Sequence, residues 1–507
     1  MGRESLFGPD RICAVVAAPT AKEMARQLRR ALRLTRTVEL RLDWLKGKRE
    51  IVRLLSWLRV HRPRATLIAT CRRRSAGGKF SGGVAEQLAV LMTAVAAGCT
   101  WCDVELETAQ RLRPGGLRSM LGRGRGLISW HDFGRTPANL RAVLNKLERC
   151  RGGAIKVATQ CNSIRESLRV QALARGRRNV VAVPMGEIGL PVRVLALRQG
   201  SALAYAPVEQ ATAPGQVSLE EMKQLYRADE LDRRTRVYGV IGNPVSHSLS
   251  PLLHNTGFIA RRMNAVYLPF LVRDLRDFLD AVRPLGIAGF SVTLPHKQAI
   301  LRHLDGCDPL AEAIGAVNTV VVRGGGKLYG YNTDYVGVLR ALERRVALRG
   351  SRVLIFGAGG AARAAAFALA QGGALVAVLA RSEAKARGLA RAVGGEVIER
   401  GRLRREFFDA IVNATPVGMF PQVRRSPLRA EELNCRLVMD LIYRPMKTEL
   451  LRRAAQRGIE TVSGVEMFLA QGIAQWEIWS GLRAPERVMR RAVLAALRCE
   501  ERLRGAA

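Results

Sequence analysis

The stretch RVLIFGAGGAARAAAFAL, residues 352–369, joins an apolar strand to a glycine-rich turn and then to a helix of small residues. Gly357, Gly359 and Ala362 fit the spacing G-x-G-x-x-G/A at the point where the strand gives way to the helix. The glycines let the backbone approach a pyrophosphate, and the amide groups at the start of the helix favour an anion. This stretch predicts a Rossmann domain that binds a dinucleotide, and an ordinary tight turn is the alternative.

The next strand indicates which dinucleotide is bound. The segment ALVAVLARSEAKA ends its apolar run at Arg381 and Ser382, and Lys385 follows one turn later. An acidic residue here would select NAD through its ribose hydroxyls, whereas an arginine suits a 2′-phosphate. We therefore predict NADP(H), with Glu383 as the rival that would favour NAD. The turn residues expected at the cofactor are Gly357, Ala358, Gly359, Gly360 and Ala361.

Residues 12 to about 226 alternate strand-like runs with arginine-rich amphipathic stretches. The strand-like runs are ICAVVAA, TVELRLDW, ATLIATC, WCDVELE, GLISWHD, GAIKVAT, NVVAVPMG and SALAYAPV. Eight βα repeats predict a (β/α)₈ TIM barrel, so the chain as a whole is of the α/β class.

Polar residues lie at or just after the ends of these predicted strands. They are Glu39, Arg41, Arg72, Asp103, Glu105, His131 and Lys156. In a barrel these ends converge on one face, where active sites are built. Lys156 stands inside an apolar run, where an unpaired ammonium is costly, although an edge strand that lets it reach solvent is the alternative.

Composition bounds the remaining possibilities. The 507 residues carry a net charge of +39, but only 11 of the 82 basic residues are lysine and the arginines are spread along the chain. This spread favours solvated helix faces over specific nucleic-acid binding, since binding requires a clustered basic surface. No apolar run is long enough to span a membrane, and the start of the chain resembles neither a signal nor a transit peptide, so we expect a cytoplasmic protein. No histidine has a partner at metal spacing, and no metal is expected.

Domain boundaries follow from changes in pattern. A polar helix gives way at Val237 to the strand YGVIG. The predicted layout is a barrel over 1–226, a linker over 227–236, a substrate-binding domain over 237–345 and a Rossmann domain over 346–475. Residues 476–507 are expected to form helices that pack back on the substrate-binding domain.

The second half resembles a shikimate dehydrogenase through several separated motifs in family order: GNPVSHSLSP, SVTLPHK, GAVNT, YNTD, NATPVGM, DLIYRP and GVEMFLAQ. The resemblance implies that Lys297 and Asp334 are catalytic. It implies substrate contacts at Ser248, Ser250, Thr293, Asn318, Tyr443 and Gln471, and cofactor contacts at Asn413, Thr415, Gly464 and Met467, with Gly418 in the loop under the nicotinamide.

The first half resembles a type I 3-dehydroquinate dehydratase, through ELRLDW, TCR, DVELE, SWHDF, IKVA, PMGEIGLPVR and TAPGQ. The resemblance implies that His131 is the base and Lys156 the Schiff-base lysine. Its implied substrate contacts are Glu39, Arg41, Arg72, Arg193, Thr212 and Gln216. One position departs from the family pattern, because Ala76 stands where a glutamate is usual, and Glu105 or Glu39 is a candidate to replace that carboxylate.

The order of the two halves resembles the bifunctional plant-type enzyme of the shikimate pathway. The implied reactions are dehydration of 3-dehydroquinate and NADPH-dependent reduction of 3-dehydroshikimate to shikimate. Burial is expected to lower the pKa of a strand lysine and so to favour the neutral amine that attacks a ketone. The small molecules are the only partners expected. A dehydrogenase that prefers quinate or NAD, and a basic nucleic-acid-associated protein, remain alternatives, and the oligomeric state is open.

Overall fold

The computed structural model describes residues 6–112, 116–209, 216–343 and 345–505. Thr212, predicted above as a substrate contact, lies outside these ranges. The chain divides into two compact units, of which the first combines Met1–Thr235 with Asn264–Leu285 and the second combines Arg236–Met263 with Gly286–Ala507. Within the described part of the chain, every helix is too short or too polar to cross a membrane.

The described residues form twenty strands. In chain order these are β1 Ile12–Val16, β2 Thr37–Arg41, β3 Thr66–Thr70, β4 Trp101–Glu105, β5 Arg125–Asp132, β6 Ala154–Gln160, β7 Val180–Met185, β8 Ala204–Pro207, β9 Arg236–Gly242, β10 Ala265–Leu271, β11 Ile287–Val292, β12 Gly306–Cys307, β13 Thr319–Val322, β14 Leu328–Tyr331, β15 Arg352–Phe356, β16 Leu375–Leu379, β17 Glu396–Val397, β18 Phe408–Asn413, β19 Cys435–Asp440 and β20 Glu460–Val462.

Seventeen α-helices are present in the same ranges. They are α1 Ala21–Ala31, α2 Lys48–His61, α3 Val84–Ala96, α4 Leu106–Ala109, α5 Gly116–Leu121, α6 Leu140–Arg149, α7 Ile164–Ala172, α8 Leu190–Val194, α9 Ser250–Ala260, α10 Leu275–Leu285, α11 Pro309–Ile314, α12 Asp334–Leu342, α13 Gly360–Gln371, α14 Glu383–Ala392, α15 Glu449–Gln456, α16 Gly464–Ser480 and α17 Glu486–Gly505.

The first unit is a near-closed barrel of eight parallel strands, in the order β7-β6-β5-β4-β3-β2-β1-β8. Each predicted strand-like run supplies one of these strands, so the predicted TIM barrel is confirmed. The strands are apolar because a parallel strand between helices and a filled interior is buried on both faces. In β6, for example, every residue from Ala154 to Thr159 is buried.

Contacts group the segment Asn264–Leu285 with the first unit, and this segment also lies within the range 237–345 that the sequence predicts as the substrate-binding domain. Asp277 of α10 accepts hydrogen bonds from the backbone amides of Ile164 and Arg165, at 2.7 and 3.1 Å. These amides begin α7 and have no partner inside that helix, so the carboxylate satisfies them and interacts favourably with the helix dipole. This contact ties α10 to the first unit.

The second unit contains two α/β sheets. In the first of these sheets, the strands that belong to the second unit lie in the order β9-β11-β13-β14-β12, and β9 and β11 are parallel. The other has the order β17-β16-β15-β18-β19-β20 with parallel pairs throughout, which is the Rossmann arrangement that the glycine motif predicts. The predicted α/β architecture is therefore confirmed.

The glycine turn between β15 and α13 fits its sequence closely. Gly357 has a φ of +125°, and a Cβ at this position would lie 3.0 Å from the carbonyl oxygen of Ala414. Both the backbone angle and the close approach require glycine. The small residues Ala362 and Ala365 are fully buried, so α13 packs closely beneath the sheet.

Candidate active sites

A cavity of about 330 Å³ opens within the first unit at the carboxyl ends of the barrel strands. It brings together most of the predicted residues of this half. Those that line it are Glu39, Arg41, Arg72, His131, Lys156, Arg193 and Gln216. The convergence follows from the parallel strands, since their carboxyl ends meet on one face.

Lys156 lies in the wall of this cavity and is only 6% exposed. Its Nζ is 3.2 Å from Glu39 Oε1 and 3.3 Å from Asp103 Oδ2. The same nitrogen stands 3.9 Å from the centre of the Tyr205 ring. The lysine is therefore buried but paired, and the edge-strand alternative is wrong, because two carboxylates and an aromatic face surround its charge.

Asp103 connects Lys156 to other polar groups of the barrel. Its Oδ1 accepts hydrogen bonds from Arg72 Nη2 at 2.8 Å and from Ser129 Oγ at 2.6 Å. Burial alone would raise the pKa of Asp103, but the positive charges of Arg72 and Lys156 outweigh it and the pKa is lowered. Asp103 is thus a buried carboxylate that stays ionised between two cations.

His131 lies on β5 next to Lys156 on β6, with His131 in register with Ala158. The guanidinium of Arg72 contacts the imidazole nitrogens of His131, and Phe133 stacks beside the ring at a centroid distance of 5.8 Å. Burial, followed by the charges of Arg72 and Lys156, holds the pKa of His131 well below its usual value. The histidine is therefore neutral and able to accept a proton.

The two glutamates suggested as substitutes for the carboxylate missing at Ala76 are engaged elsewhere. Glu105 accepts hydrogen bonds from the Arg73 amide at 2.8 Å and from Gln87 Nε2 at 2.7 Å. Glu39 accepts from Thr70 at 2.8 Å and faces Lys156. Among the described residues, His131 contacts Arg72, and neither of these carboxylates hydrogen-bonds with it.

The remaining arginines of the cavity differ in their surroundings. Arg41 forms a two-pronged ion pair with Asp43, at 2.9 and 2.8 Å. Arg193 donates to the backbone carbonyl of Gly186 at 3.1 Å, and burial lowers its pKa to about 10. It remains a cation at neutral pH, and it is one of the residues that line the cavity.

A second cavity, of about 450 Å³, lies within the second unit. The predicted catalytic and substrate residues that line it are Ser248, Ser250, Thr293, Lys297, Asn318, Asp334, Tyr443 and Gln471. The predicted cofactor residues that line it are Gly359, Gly360, Ala361, Thr415 and Met467. The separated motifs of this half therefore meet in one place.

Lys297 and Asp334 form an ion pair at the wall of this cavity. The other oxygen of Asp334 accepts a hydrogen bond from Asn318 Nδ2 at 2.8 Å. Asn318 Oδ1 in turn accepts from the Thr333 amide at 2.8 Å, which fixes the orientation of its side chain. Lys297 thus has a partner that neighbouring residues hold in place.

Tyr443 and Phe468 form an aromatic wall, with ring centroids 4.3 Å apart. Burial raises the pKa of the Tyr443 hydroxyl, which also hydrogen-bonds with Ser248. The tyrosine therefore remains protonated and presents a neutral donor beside a predicted substrate contact.

The residues predicted for the dinucleotide divide into two groups. Asn413, buried at the end of β18, donates to Asp440 at 3.0 Å and accepts from Thr415 Oγ1 at 2.7 Å, which orders the loop after the strand. Gly464 begins α16, and any Cβ there would lie 2.5 Å from the Leu441 carbonyl oxygen.

Asn413 and Gly464 lie outside the cavity lining, and so does the second group. Arg381, Ser382 and Lys385 are exposed where β16 gives way to α14. Glu383, the residue that would favour NAD, forms an ion pair with Arg387. Gly357 and Ala358 lie in the turn before α13 and are likewise outside the lining.

Sequence reasoning missed two side chains of the barrel site. Asp103 was noted only as a polar strand end, and Tyr205 was not singled out. The parallel register could have indicated the first, because Ser129 pairs with Lys156 and Asp103 lies on the strand next to Ser129. In the described ranges, no group of three or more His, Cys, Asp and Glu side chains is placed to hold a metal ion.

The first unit is a parallel barrel with a buried lysine, and the second contains a lysine–aspartate pair and a Rossmann sheet, so the chain has the layout of a two-site enzyme. Residues 12–233 match the family of type I 3-dehydroquinases. Residues 240–320 match the shikimate dehydrogenase substrate-binding domain, and residues 464–494 match the shikimate 5′-dehydrogenase C-terminal domain. The chain belongs to the family of bifunctional 3-dehydroquinate dehydratase/shikimate dehydrogenases.

The chain is similar to two curated relatives and to one solved structure. The chloroplastic bifunctional 3-dehydroquinate dehydratase/shikimate dehydrogenase of Arabidopsis thaliana is 35% identical over 94% of this chain and 83% of its own length. The NADP⁺ shikimate dehydrogenase of Thermococcus kodakarensis is 44% identical over 52% of this chain and 98% of its own. A Thermus thermophilus shikimate 5-dehydrogenase structure with NADP(H) and shikimate is 36% identical, with a TM-score of 0.48 over 52% of this chain and 100% of its own.

Proposed function

We propose that this chain converts 3-dehydroquinate to 3-dehydroshikimate in the barrel and reduces that product to shikimate with NADPH in the second unit. The observation that carries the proposal is the buried Lys156, set between two carboxylates in a cavity that also contains His131 and Arg193. Family membership over nearly the whole chain supports both activities.

In the first reaction, Lys156 is the nucleophile. Lys156 gives up one proton, and its neutral amine forms a C–N bond with the ketone carbon of the substrate. That proton leaves with the ketone oxygen in a water molecule, so the nitrogen is left as a protonated imine. The imine acts as an electron sink and acidifies the neighbouring C–H bond. Arg193, which lines the cavity, binds the substrate carboxylate.

His131 then performs the proton transfers. It accepts the proton from the acidified carbon, and it returns a proton to the hydroxyl that leaves as water, which creates the carbon–carbon double bond. Its lowered pKa keeps it in the neutral form that this first step requires. Water then cleaves the imine, which releases the ketone product and regenerates Lys156.

The second reaction takes place in the cavity of the second unit. We assign Ser248, Ser250 and Thr293 to binding of the substrate, with Tyr443 donating a hydrogen bond. Lys297 stabilises negative charge on the ketone oxygen and, with Asp334, supplies its proton. Asn318 holds Asp334 in position through the 2.8 Å hydrogen bond.

The start of α13 fits a dinucleotide. No atom lies within 4 Å of the place where a Cβ would stand on Gly359, so the backbone amides there are open to a pyrophosphate. Arg381, Ser382 and Lys385 are exposed beyond β16, where they would hold a 2′-phosphate. When bound, NADPH supplies the hydride that reduces the ketone carbon.

The domain layout is part of the proposal. We assign 1–226 to the dehydratase barrel, 227–236 to a linker, 237–345 to the substrate-binding domain, 346–475 to the NADP-binding domain and 476–507 to C-terminal helices. The division of the chain after Thr235 supports the position of the linker.

A coupled assay on the full chain tests the proposal. We expect 3-dehydroquinate plus NADPH to yield shikimate, and borohydride added with 3-dehydroquinate to leave a covalent adduct on Lys156 that mass spectrometry locates. An active dehydratase with its adduct on another residue would refute the assignment of Lys156. Side-by-side rates with shikimate and quinate, each with NADP⁺ and NAD⁺, separate the proposed dehydrogenase from one that prefers quinate.

A further inference from the structure

Tyr205 occupies an unusual position in the barrel. It lies on β8, and the face of its ring is 3.9 Å from Lys156 Nζ. Part of the ring lines the cavity, while its hydroxyl oxygen is buried and, among the described residues, has no hydrogen-bond partner. A buried hydroxyl without a partner is costly, so tyrosine carries a penalty at this position that phenylalanine would avoid.

The ring and the two carboxylates contact the lysine nitrogen together. Glu39 and Asp103 reach Nζ at 3.2 and 3.3 Å, and these carboxylates are themselves fixed by hydrogen bonds from Thr70 and Ser129. Their positions are therefore set by the barrel rather than by the lysine. A cation at Nζ is stabilised by the negative charges and by the negative face of the aromatic ring.

Resting on the Schiff-base mechanism proposed above, we propose that the ring of Tyr205 is a catalytic group that stabilises the protonated imine at Lys156 Nζ. The neutral amine of Lys156 adds to the ketone carbon and forms a carbinolamine, which carries no charge at Nζ. The hydroxyl of the carbinolamine leaves as water together with the proton that the lysine gave up at the start, and the resulting protonated imine carries a positive charge at Nζ. The ring face therefore stabilises the intermediate from which the carbon proton is removed.

The aromatic face, and not the hydroxyl, performs this role. The hydroxyl points into the protein, where burial and the nearby Cys13, Glu39 and Asp103 raise its pKa, so it stays neutral and does not act as a base. Phenylalanine keeps the ring face and removes the unpartnered hydroxyl. Leucine and methionine fill much of the volume without an aromatic face.

The experiment compares Tyr205→Phe, Tyr205→Leu and Tyr205→Met in the full chain. We expect Tyr205→Phe to lower dehydratase kcat by no more than about threefold. Tyr205→Leu and Tyr205→Met should lower kcat roughly 10- to 30-fold, as for a desolvated cation–π contact, with KM changed less than kcat. Borohydride trapping should give less adduct on Lys156 in the same two variants.

Each outcome has a defined meaning. Dehydratase kcat within threefold of wild type in the leucine and methionine variants overturns the inference, and an equal loss in all three variants assigns the role to the hydroxyl instead. Circular dichroism melting of each variant separates a folded, slow barrel from an unfolded one. Absence of dehydratase activity or of a Lys156 adduct in the wild-type chain would refute the proposed function itself, whichever way the variants behave.

Discussion

The two lysines that the proposal places in catalysis are held in different ways. Lys156 lies within a strand, with its side chain 8% exposed, two carboxylates at its nitrogen and an aromatic ring beneath it. Lys297 follows a strand, with its side chain 16% exposed and paired with Asp334. A lysine that bonds covalently to substrate needs a fixed nitrogen and a stabilised cation, whereas a lysine that donates a proton needs a partner and room for the substrate.

The largest effects should come from removing each lysine. Lys156→Ala should lower dehydratase kcat roughly 10⁴- to 10⁶-fold, because the covalent route is lost, and should leave reduction intact. Lys297→Ala should lower reduction about 10²- to 10⁴-fold, as for loss of general acid catalysis, and leave dehydration intact. Separate assays with 3-dehydroquinate and with shikimate measure the two rates. Loss of both activities from either change would show that the units do not work independently.

Replacing Asp103, the carboxylate that lies between two cations, tests what the charged groups around Lys156 contribute. Asp103→Asn leaves Lys156 and Arg72 buried with less compensating charge, so the barrel should lose about 3 kcal/mol of unfolding free energy. Dehydratase kcat should fall roughly 10- to 100-fold because Arg72 and the His131 that it contacts lose their anchor. Denaturant unfolding and initial rates measure these effects.

Ser129→Ala is the matched control for this change. It removes a hydroxyl that donates to the same carboxylate but leaves both cations paired, and it should cost only about 1 kcal/mol. If the two variants are equally unstable, the charge of Asp103 is not what stabilises the barrel.

Asp440 extends the comparison, because it is a buried carboxylate that has no cation in hydrogen-bond contact among the described residues. Burial raises its pKa to about 6, against hydrogen bonds from Thr448, Ile442 and Asn413 that lower it. The folded state therefore binds a proton more tightly than the unfolded chain. This contribution to stability is complete below about pH 4 and is lost as pH rises through about 6, by roughly 3 kcal/mol in all.

Unfolding of wild type and of Asp440→Asn between pH 4 and 8 checks this sign. The wild type should lose stability relative to the variant as pH rises, because asparagine does not titrate. A difference between the two proteins that stays constant with pH would contradict the raised pKa.

The smallest effect concerns Ala76. Ala76→Glu restores the carboxylate usual in the family on the loop whose neighbour, Gly77, lies against Phe133, the residue that stacks on His131. A negative charge near the histidine should raise its pKa and shift the acid limb of the dehydratase pH profile to higher pH. We expect a gain in kcat of a few fold at neutral pH. A pH profile identical to that of the wild type would show that His131, in contact with Arg72, does not need a carboxylate at position 76.

Much of the fold could be predicted from the sequence, because the strand-like runs and the glycine turn have strong periodicity and fixed spacing. The contact of α10 with α7 could not, since it depends on Asp277 meeting the start of α7, and these segments are far apart in the chain. Helix amphipathicity alone does not say which unit a helix packs against.

The candidate sites were predicted in outline and missed in detail. Lys156 was identified as unusual, but its charge was expected to face apolar burial, whereas Glu39 and Asp103 meet it. The contact between Arg72 and His131 could not be read from the motifs, because it depends on how Asp103 turns the guanidinium. Such contacts arise from side-chain packing across strands, which sequence spacing does not specify.

Gly360 has a consequence for how this enzyme can evolve. A Cβ added at this first residue of α13 would lie 3.0 Å from Cβ of Lys297, so the glycine turn leaves no room for a side chain beside this lysine. A larger residue at 360 would displace the lysine by a few tenths of an ångström. Substitutions at the two positions should therefore be epistatic, and an evolutionary change of cofactor preference that passes through Gly360 must be matched by a compensating change around Lys297.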